Sequence, residues 1–162
     1  MKRRHARRGL LGALAAGGIV CGGILGCASA VDWPAADLTT PGWTVDTGQA
    51  LWQPREVATR IAGDLIVARH AGGDVMIHFS KSALPIFTAR TRDGAWSLEL
   101  TQRDRSYAGR GRPPKRFVWF QLPAMLDGGD PPKKWWFERV GDGEWLLRRV
   151  DGSESIRIFL DR

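Results

Sequence analysis

The chain has 162 residues, with 24 Lys and Arg against 17 Asp and Glu, a formal charge of +7, two cysteines and eight tryptophans. Five of the cations (Lys2, Arg3, Arg4, Arg7 and Arg8) precede the first acid, Asp32, so the remainder carries only +2 and does not read as a nucleic-acid binder. Cys21 and Cys27 lie in the same early stretch, which leaves the rest without disulfides or thiolate metal sites, and about 130 further residues suffice for one domain and not two.

Residues 1–26 have the layout of a bacterial export signal: a basic start, then an apolar run from Gly9 to Gly26 rich in Gly and Ala. Ile24-Leu25-Gly26-Cys27 resembles the lipobox of bacterial lipoproteins, which implies diacylation of Cys27, cleavage before it and acylation of the new amine. Leu25 stands where that motif usually has a small residue. Two other endings are open. Ala28-Ser29-Ala30 is an A-x-A site whose cleavage would release a soluble periplasmic or secreted protein, and an uncut segment would remain as an anchor. Seven glycines between Gly9 and Gly26 make a poor spanning helix, which argues against the anchor. Arg7-Arg8-Gly9-Leu10-Leu11 resembles a twin-arginine signal, or is an ordinary basic start. Ala28 after the cysteine, in place of the Asp that retains enterobacterial lipoproteins in the inner membrane, favours the outer membrane, facing the periplasm. Two or more acyl chains hold a protein stably in a bilayer.

Residues 27–50, rich in Pro, Gly, Ala and Thr and without periodicity, read as a lipidated N-terminus and flexible tether, and 51–162 as the folded domain. Gln53 to Arg60 is expected to form a short helix, with Pro54 in its first turn. Strands follow. Leu65–Arg69 and Val75–Phe79 flank Ala71-Gly72-Gly73-Asp74, a hairpin signal, and Ile86–Arg90 leads through Arg92-Asp93-Gly94 to Ala95–Leu100. Trp96, Leu98 and Leu100 alternate with Ser97 and Glu99, so one face is buried and the other wet. Residues 101–116 break the pattern, Phe117–Leu126 reads as one helix, and Lys134–Val140, Glu144–Val150 and Ser155–Leu160 read as three more strands joined by Gly-Asp-Gly and Asp-Gly-Ser turns. The fold expected is mainly β, a single curved antiparallel sheet or open half-barrel with one or two short helices.

Catalytic constellations are not found. No G-x-S-x-G occurs, and pairing His70 with Val75 would send the imidazoles of His70 and His78 to opposite faces, an assignment that a one-residue slip reverses. Asp74, Asp93, Asp142 and Asp151 sit beside turn glycines, and Glu99, Glu138 and Glu154 fall on the expected wet face, so paired carboxylates are not expected. Gly109-Arg110-Gly111-Arg112 lacks the context of a phosphate loop; the basic stretch Arg103–Arg116 is a solvated loop or a contact for anionic headgroups. The expectation is a protein without catalytic residues, cofactor or metal, and of undetermined oligomeric state.

Together, the lipobox, the tether and a sheet beginning Ile61-Ala62-Gly63-Asp64-Leu65-Ile66-Val67 resemble the lipoprotein-localisation (Lol) carrier and receptor superfamily, with the similarity continuing through Phe79 to Ala89 and Trp96 to Leu100. The resemblance implies an unclosed β-barrel with a helical lid and a cavity that accepts acyl chains without chemistry. It also implies an exposed leucine on an early loop, which places Leu84 of Lys81-Ser82-Ala83-Leu84-Pro85 in that role. Ile77, Phe87, Trp96, Leu98 and Trp119 are the expected ligand wall, and a lipid or lipoprotein the expected ligand. The alternative is a structural or assembly lipoprotein with a solid core that binds another envelope protein.

Overall fold

The computed structural model describes residues 33, 36–55 and 58–161, and these form one antiparallel sheet of nine strands. The strands are β1 (Trp43–Gln53), β2 (Ile61–His70), β3 (Val75–Lys81), β4 (Leu84–Arg92), β5 (Ala95–Leu100), β6 (Arg105–Arg110), β7 (Trp135–Gly141), β8 (Glu144–Arg149) and β9 (Ser155–Asp161). Their order is β6-β5-β4-β3-β2-β1-β9-β8-β7, so β6 and β7 are free edges and the sheet is unclosed. Between them run a 3-10 turn, Val118–Gln121, and one short helix, α1 (Leu122–Leu126). The architecture is mostly β, as composition and alternation predict.

Two-residue turns set the pairing. Asp93 and Gly94 both have positive φ, +50° and +69°, the twist that joins antiparallel strands most tightly. Asp-Gly meets that demand cheaply. Ser82 and Ala83, at +50° and +64°, meet it with strain, because each Cβ crowds its own backbone. Along the ladders, residues of one parity face a single core: Leu65 pairs with Phe79, Val67 with Ile77, Phe87 with Leu100, and Ala89 with Leu98. Trp145, Leu147, Ile156 and Ile158 from the other wing enter the same core. A sheet can bring both wings to one core only by curling, and three inner-face glycines permit it. An added Cβ would lie 1.9 Å from the Phe159 carbonyl oxygen at Gly48, 2.1 Å from that of Ser80 at Gly63, and 2.8 Å from the Trp96 ring at Gly109. A register shift between Phe79 and Ser80, beside Gly63, adds to the bend.

The segment over the core, Phe117–Leu126, is a short lid: α1 has Pro123 in its first turn and stops at Asp127, ahead of Gly128 with φ of +90°. Val118, Trp119, Phe120, Leu122, Met125 and Leu126 are buried against the sheet. Its far end is tied down by Arg69, which donates to Asp127 Oδ1 at 3.2 Å and also pairs with Asp46 on the neighbouring strand.

Four boundaries differ from expectation. Residues 43–50, expected within the tether, belong to β1, which pairs with β2 on one side and β9 on the other. Ahead of it, Arg90 Nη1 donates to the Trp33 carbonyl at 3.2 Å, and at the start of β1 the Trp43 ring lies 5.2 Å from the His70 ring. Large aromatic rings thus recruit a stretch whose Pro and Gly content reads as linker. The helix expected over Gln53–Arg60 is not formed by its described residues, because Gln53 continues the ladder with β9 and 58–60 bend toward β2. Finally, Arg105–Arg110 is a strand inside the expected break, and the expected single helix over Phe117–Leu126 is split into a 3-10 turn and α1. The signal segment and Cys27 lie outside the described residues.

Candidate functional site

Between the inner face of the long wing and the start of the lid is an open cleft of about 450 Å³. Its floor is Phe87, Leu98, Leu100 and Tyr107 from β4, β5 and β6; Trp52 and Ile61 form one wall, and Phe117, Val118 and Trp119 roof it. The period-two alternation of the strands lines up the floor. The roof stands because Trp119 is wedged in an aromatic cluster, with ring centroids 4.6 Å from Phe87, 5.6 Å from Trp52 and 5.9 Å from Phe79. Edge-to-face and offset contacts of this kind add to the burial of each ring. The Trp119 indole N–H is buried without a hydrogen-bond partner, so its position is set by packing alone.

Polar groups gather at the rim. Arg55 follows β1, Gln102 and Arg103 occupy the 3-10 turn Thr101–Arg103 between β5 and β6, and Arg116 precedes the roof with its guanidinium 4.8 Å from the Phe117 ring centroid. One acid joins them. Glu154, half-buried, accepts a hydrogen bond from Trp52 Nε1 at 3.1 Å. This corrects its expected place on the wet face: it immediately precedes β9, where the chain turns in beneath β1. Burial pushes the Glu154 carboxyl up, opposed by the Trp52 hydrogen bond and by Arg149 and Arg55, and reinforced by Asp151.

The sign of that shift gives a test. A carboxyl that holds its proton more tightly in the native state than in the unfolded chain weighs increasingly against folding as pH rises from its ordinary value through its raised one. Glu154→Gln keeps an acceptor for Trp52 and removes the charge. The variant is expected to melt on the order of 1–3 °C higher than the wild type at pH 7, with no gain at pH 3.5. Thermal melts at the two pH values check it, and an equal gain at both would show that charge is not the cause.

Of the six residues expected to contact ligand, three line the cleft: Phe87, Leu98 and Trp119. Ile77 and Trp96 share the inner face but lie outside it. Ile77 is sealed in the core, and Trp96 packs over Gly109 and against Phe117 and Phe120. Leu84 stands apart at the Ser82-Ala83 turn, 70% exposed. Trp52, Pro54, Ile61, Ile86, Leu100, Gln102, Tyr107, Phe117, Val118, the three arginines and Glu154 complete the lining without having been singled out as ligand contacts. Leu100 alone was visible in the alternation of β5.

The histidines are corrected as well. Arg69 pairs with Val75 and Ile66 with His78, one residue from the expected register, so His70 and His78 share the outer face. They remain four positions apart along β2's ladder, about 13 Å at strand rise. His78 Nδ1 meets Thr88 Oγ1 at 3.0 Å, and burial, with Arg90 nearby, pulls its pKa down. Among the described residues no group of three or more His, Cys, Asp or Glu is placed to hold a metal, and no helix is long and apolar enough to cross a membrane. Compared with protein-family models and with curated proteins, the chain matches none. What the cleft's own residues can do is bury an apolar chain and meet a polar head at the rim.

Proposed function

We propose that the chain is a non-enzymatic lipoprotein of the bacterial envelope, anchored through acyl chains on Cys27, whose sheet takes up a lipid or other apolar ligand. The supporting observation is the cleft: about 450 Å³ falls within the roughly 300–1,000 Å³ typical of small-ligand sites, and aromatic and aliphatic side chains supply most of its wall. The reading also draws on the lipobox at Ile24-Leu25-Gly26-Cys27. On this reading the domain faces the periplasm from the outer membrane.

Native mass spectrometry of the purified full chain tests it. The wild type is expected to carry bound lipid, and Leu100→Trp, which fills the cleft from a half-buried position, to carry none. A wild type that neither retains lipid nor binds it when offered would leave the solid-core assembly protein as the better reading. Anchoring is tested separately: Cys27→Ala is expected to move the protein from the membrane to the soluble fraction, and unchanged fractionation would overturn the lipid anchor.

A further inference from the structure

We propose that the end of the sheet bearing the cleft is a docking surface for an anionic lipid bilayer, with Trp136 and Val150 entering the headgroup layer and Lys133, Lys134 and Arg148 facing its phosphates. This rests on the reading of the cleft as a lipid site and adds the surface that brings that site to a bilayer.

Two observations carry it. The first is where the exposed apolar side chains fall. The ladders set Trp52 opposite Ile61, Gln53 opposite Ser155, Arg148 opposite Ser155 and Trp135 opposite Arg149. The end of β1, the start of β2, the β8–β9 turn and the start of β7 therefore share one end of the sheet. Trp52, Pro54, Ile61 and Glu154 of the cleft lie at that end. Leu84 at 70%, Val150 at 63% and Trp136 at 62% are the three most exposed large apolar side chains among the described residues, and all three are there. Val45, Val140 and Phe159, toward the other end, reach no more than 44%. Trp135 turns into the core at 8% exposure, so alternation sends Trp136 outward. Trp136 stands opposite Arg148, and Val150 donates its backbone N–H to the Lys134 carbonyl at 2.9 Å, which puts Val150 beside Trp136 on the outer face.

The second is the charge around that pair. Lys133, Lys134 and Arg148 are all exposed. Glu138 is the acid on the same face of β7, Asp130 precedes Pro131 and Pro132, and Asp151 at the turn is engaged by Arg149 at 3.2 Å and by Ser153. Lys134 stands at φ of +76°, where a glycine would be relaxed, so a lysine is kept there at a steric cost. An indole settles at the headgroup level of a bilayer, where its ring is apolar and its N–H stays wet, and lysine stems lie along such a surface with the ammonium in water. Lysine is depleted from protein–protein interfaces, so two lysines beside the exposed tryptophan favour a lipid surface over a protein partner. The chain enters the sheet at Trp43, at the opposite end of β1, so this surface is distinct from the anchor.

Flotation of the purified full chain carrying Cys27→Ala, which removes the acyl anchor, tests the proposal. The vesicles are phosphatidylcholine alone or phosphatidylcholine mixed equally with phosphatidylglycerol. The chain is expected to float with the anionic vesicles and not with the neutral ones, and to bind less as salt rises. Trp136→Ala is expected to weaken binding roughly 10-fold through lost apolar contact. Lys133→Gln combined with Lys134→Gln should weaken it on the order of 10-fold and shrink the preference for anionic vesicles. These positions are exposed, so both variants should melt at the same temperature as the parent. Equal flotation with the two kinds of vesicle, no flotation with either, or variants that bind like the parent overturns the docking surface. A concentration-dependent dimer that Trp136→Ala abolishes, without vesicle binding, overturns it in favour of a second copy at the β7 edge. Native mass spectrometry separates the two readings. A chain that retains lipid but does not float loses the docking surface alone, and one that does neither loses the lipid cleft as well.

Discussion

Phe79→Ala is expected to cost about 3–5 kcal/mol of stability and to lower the melting temperature by roughly 10–20 °C. Phe79 is fully buried on β3, and its ring centroid lies 5.7 Å from Phe87, 5.9 Å from Trp119 and 6.3 Å from Trp52. It is the buttress behind the cleft: truncation removes a ring contact from each of three lining rings and leaves a void that a hydrogen-bonded sheet cannot close. The lid is expected to loosen in step. In urea the midpoint should fall while the slope stays near the wild-type value, because the surface exposed on unfolding hardly changes. A loss under about 1 kcal/mol would mean that the core relaxes around the void, contrary to the packing described.

Gly48→Ala should be comparably damaging for a different reason. The new Cβ would lie 1.9 Å from the Phe159 carbonyl oxygen and 2.8 Å from the Leu160 Cα, and neither atom can rotate away because both are backbone. Relief requires β9 to back off β1, which breaks the ladder joining the two wings. We expect a loss of about 3 kcal/mol or more, with amide exchange accelerating first in β9, at Ile156, Ile158 and Leu160, and last in β3 and β4. Gly73→Ala is the control. Its residue has φ of +93° with open space around it, so only the backbone penalty of about 1 kcal/mol applies. Similar losses in the two variants would refute the wedge at Gly48.

The contrast between β2–β5 and β1 shows what was legible in the sequence. Trp96, Leu98 and Leu100 alternate with Ser97 and Glu99, Leu65–Arg69 and Val75–Phe79 are short apolar runs of strand length, and turn residues punctuate them, so local chemistry alone marks out that wing. Gly141-Asp142-Gly143 and Asp151-Gly152-Ser153 do the same for β7–β9, where Asp151 Oδ1 accepts from the Ser153 backbone N–H at 3.0 Å. In β1 the strand interior contains Gly48 at the point of closest approach, so a residue demanded by long-range contact reads as a linker residue. β6 fails similarly: it is an edge, its inner face offers only Tyr107, and Gly109 is small because Trp96 covers it. The cleft divides along the same line. Phe87, Leu98 and Trp119 are recognisable as apolar, but which apolar residues border open space depends on where the lid rests. Arg55, Arg103, Arg116 and Glu154 come together only through loops far apart in the chain.

The β1–β9 ladder also imposes an order on folding. Its least separated partners, Gln53 and Ser155, are 102 positions apart, whereas every other ladder joins strands adjacent in the chain. Each wing can zip up from local hairpins in microseconds, but their union must close a loop of that length, which makes it the slow step. Until β9 is available, β1 stands as an unpaired edge beside Ala50 and Leu65, and the half-made domain has a sticky flank for which it has no partner of its own. A chain that emerges N-terminus first therefore acquires its final structure only when β9 arrives.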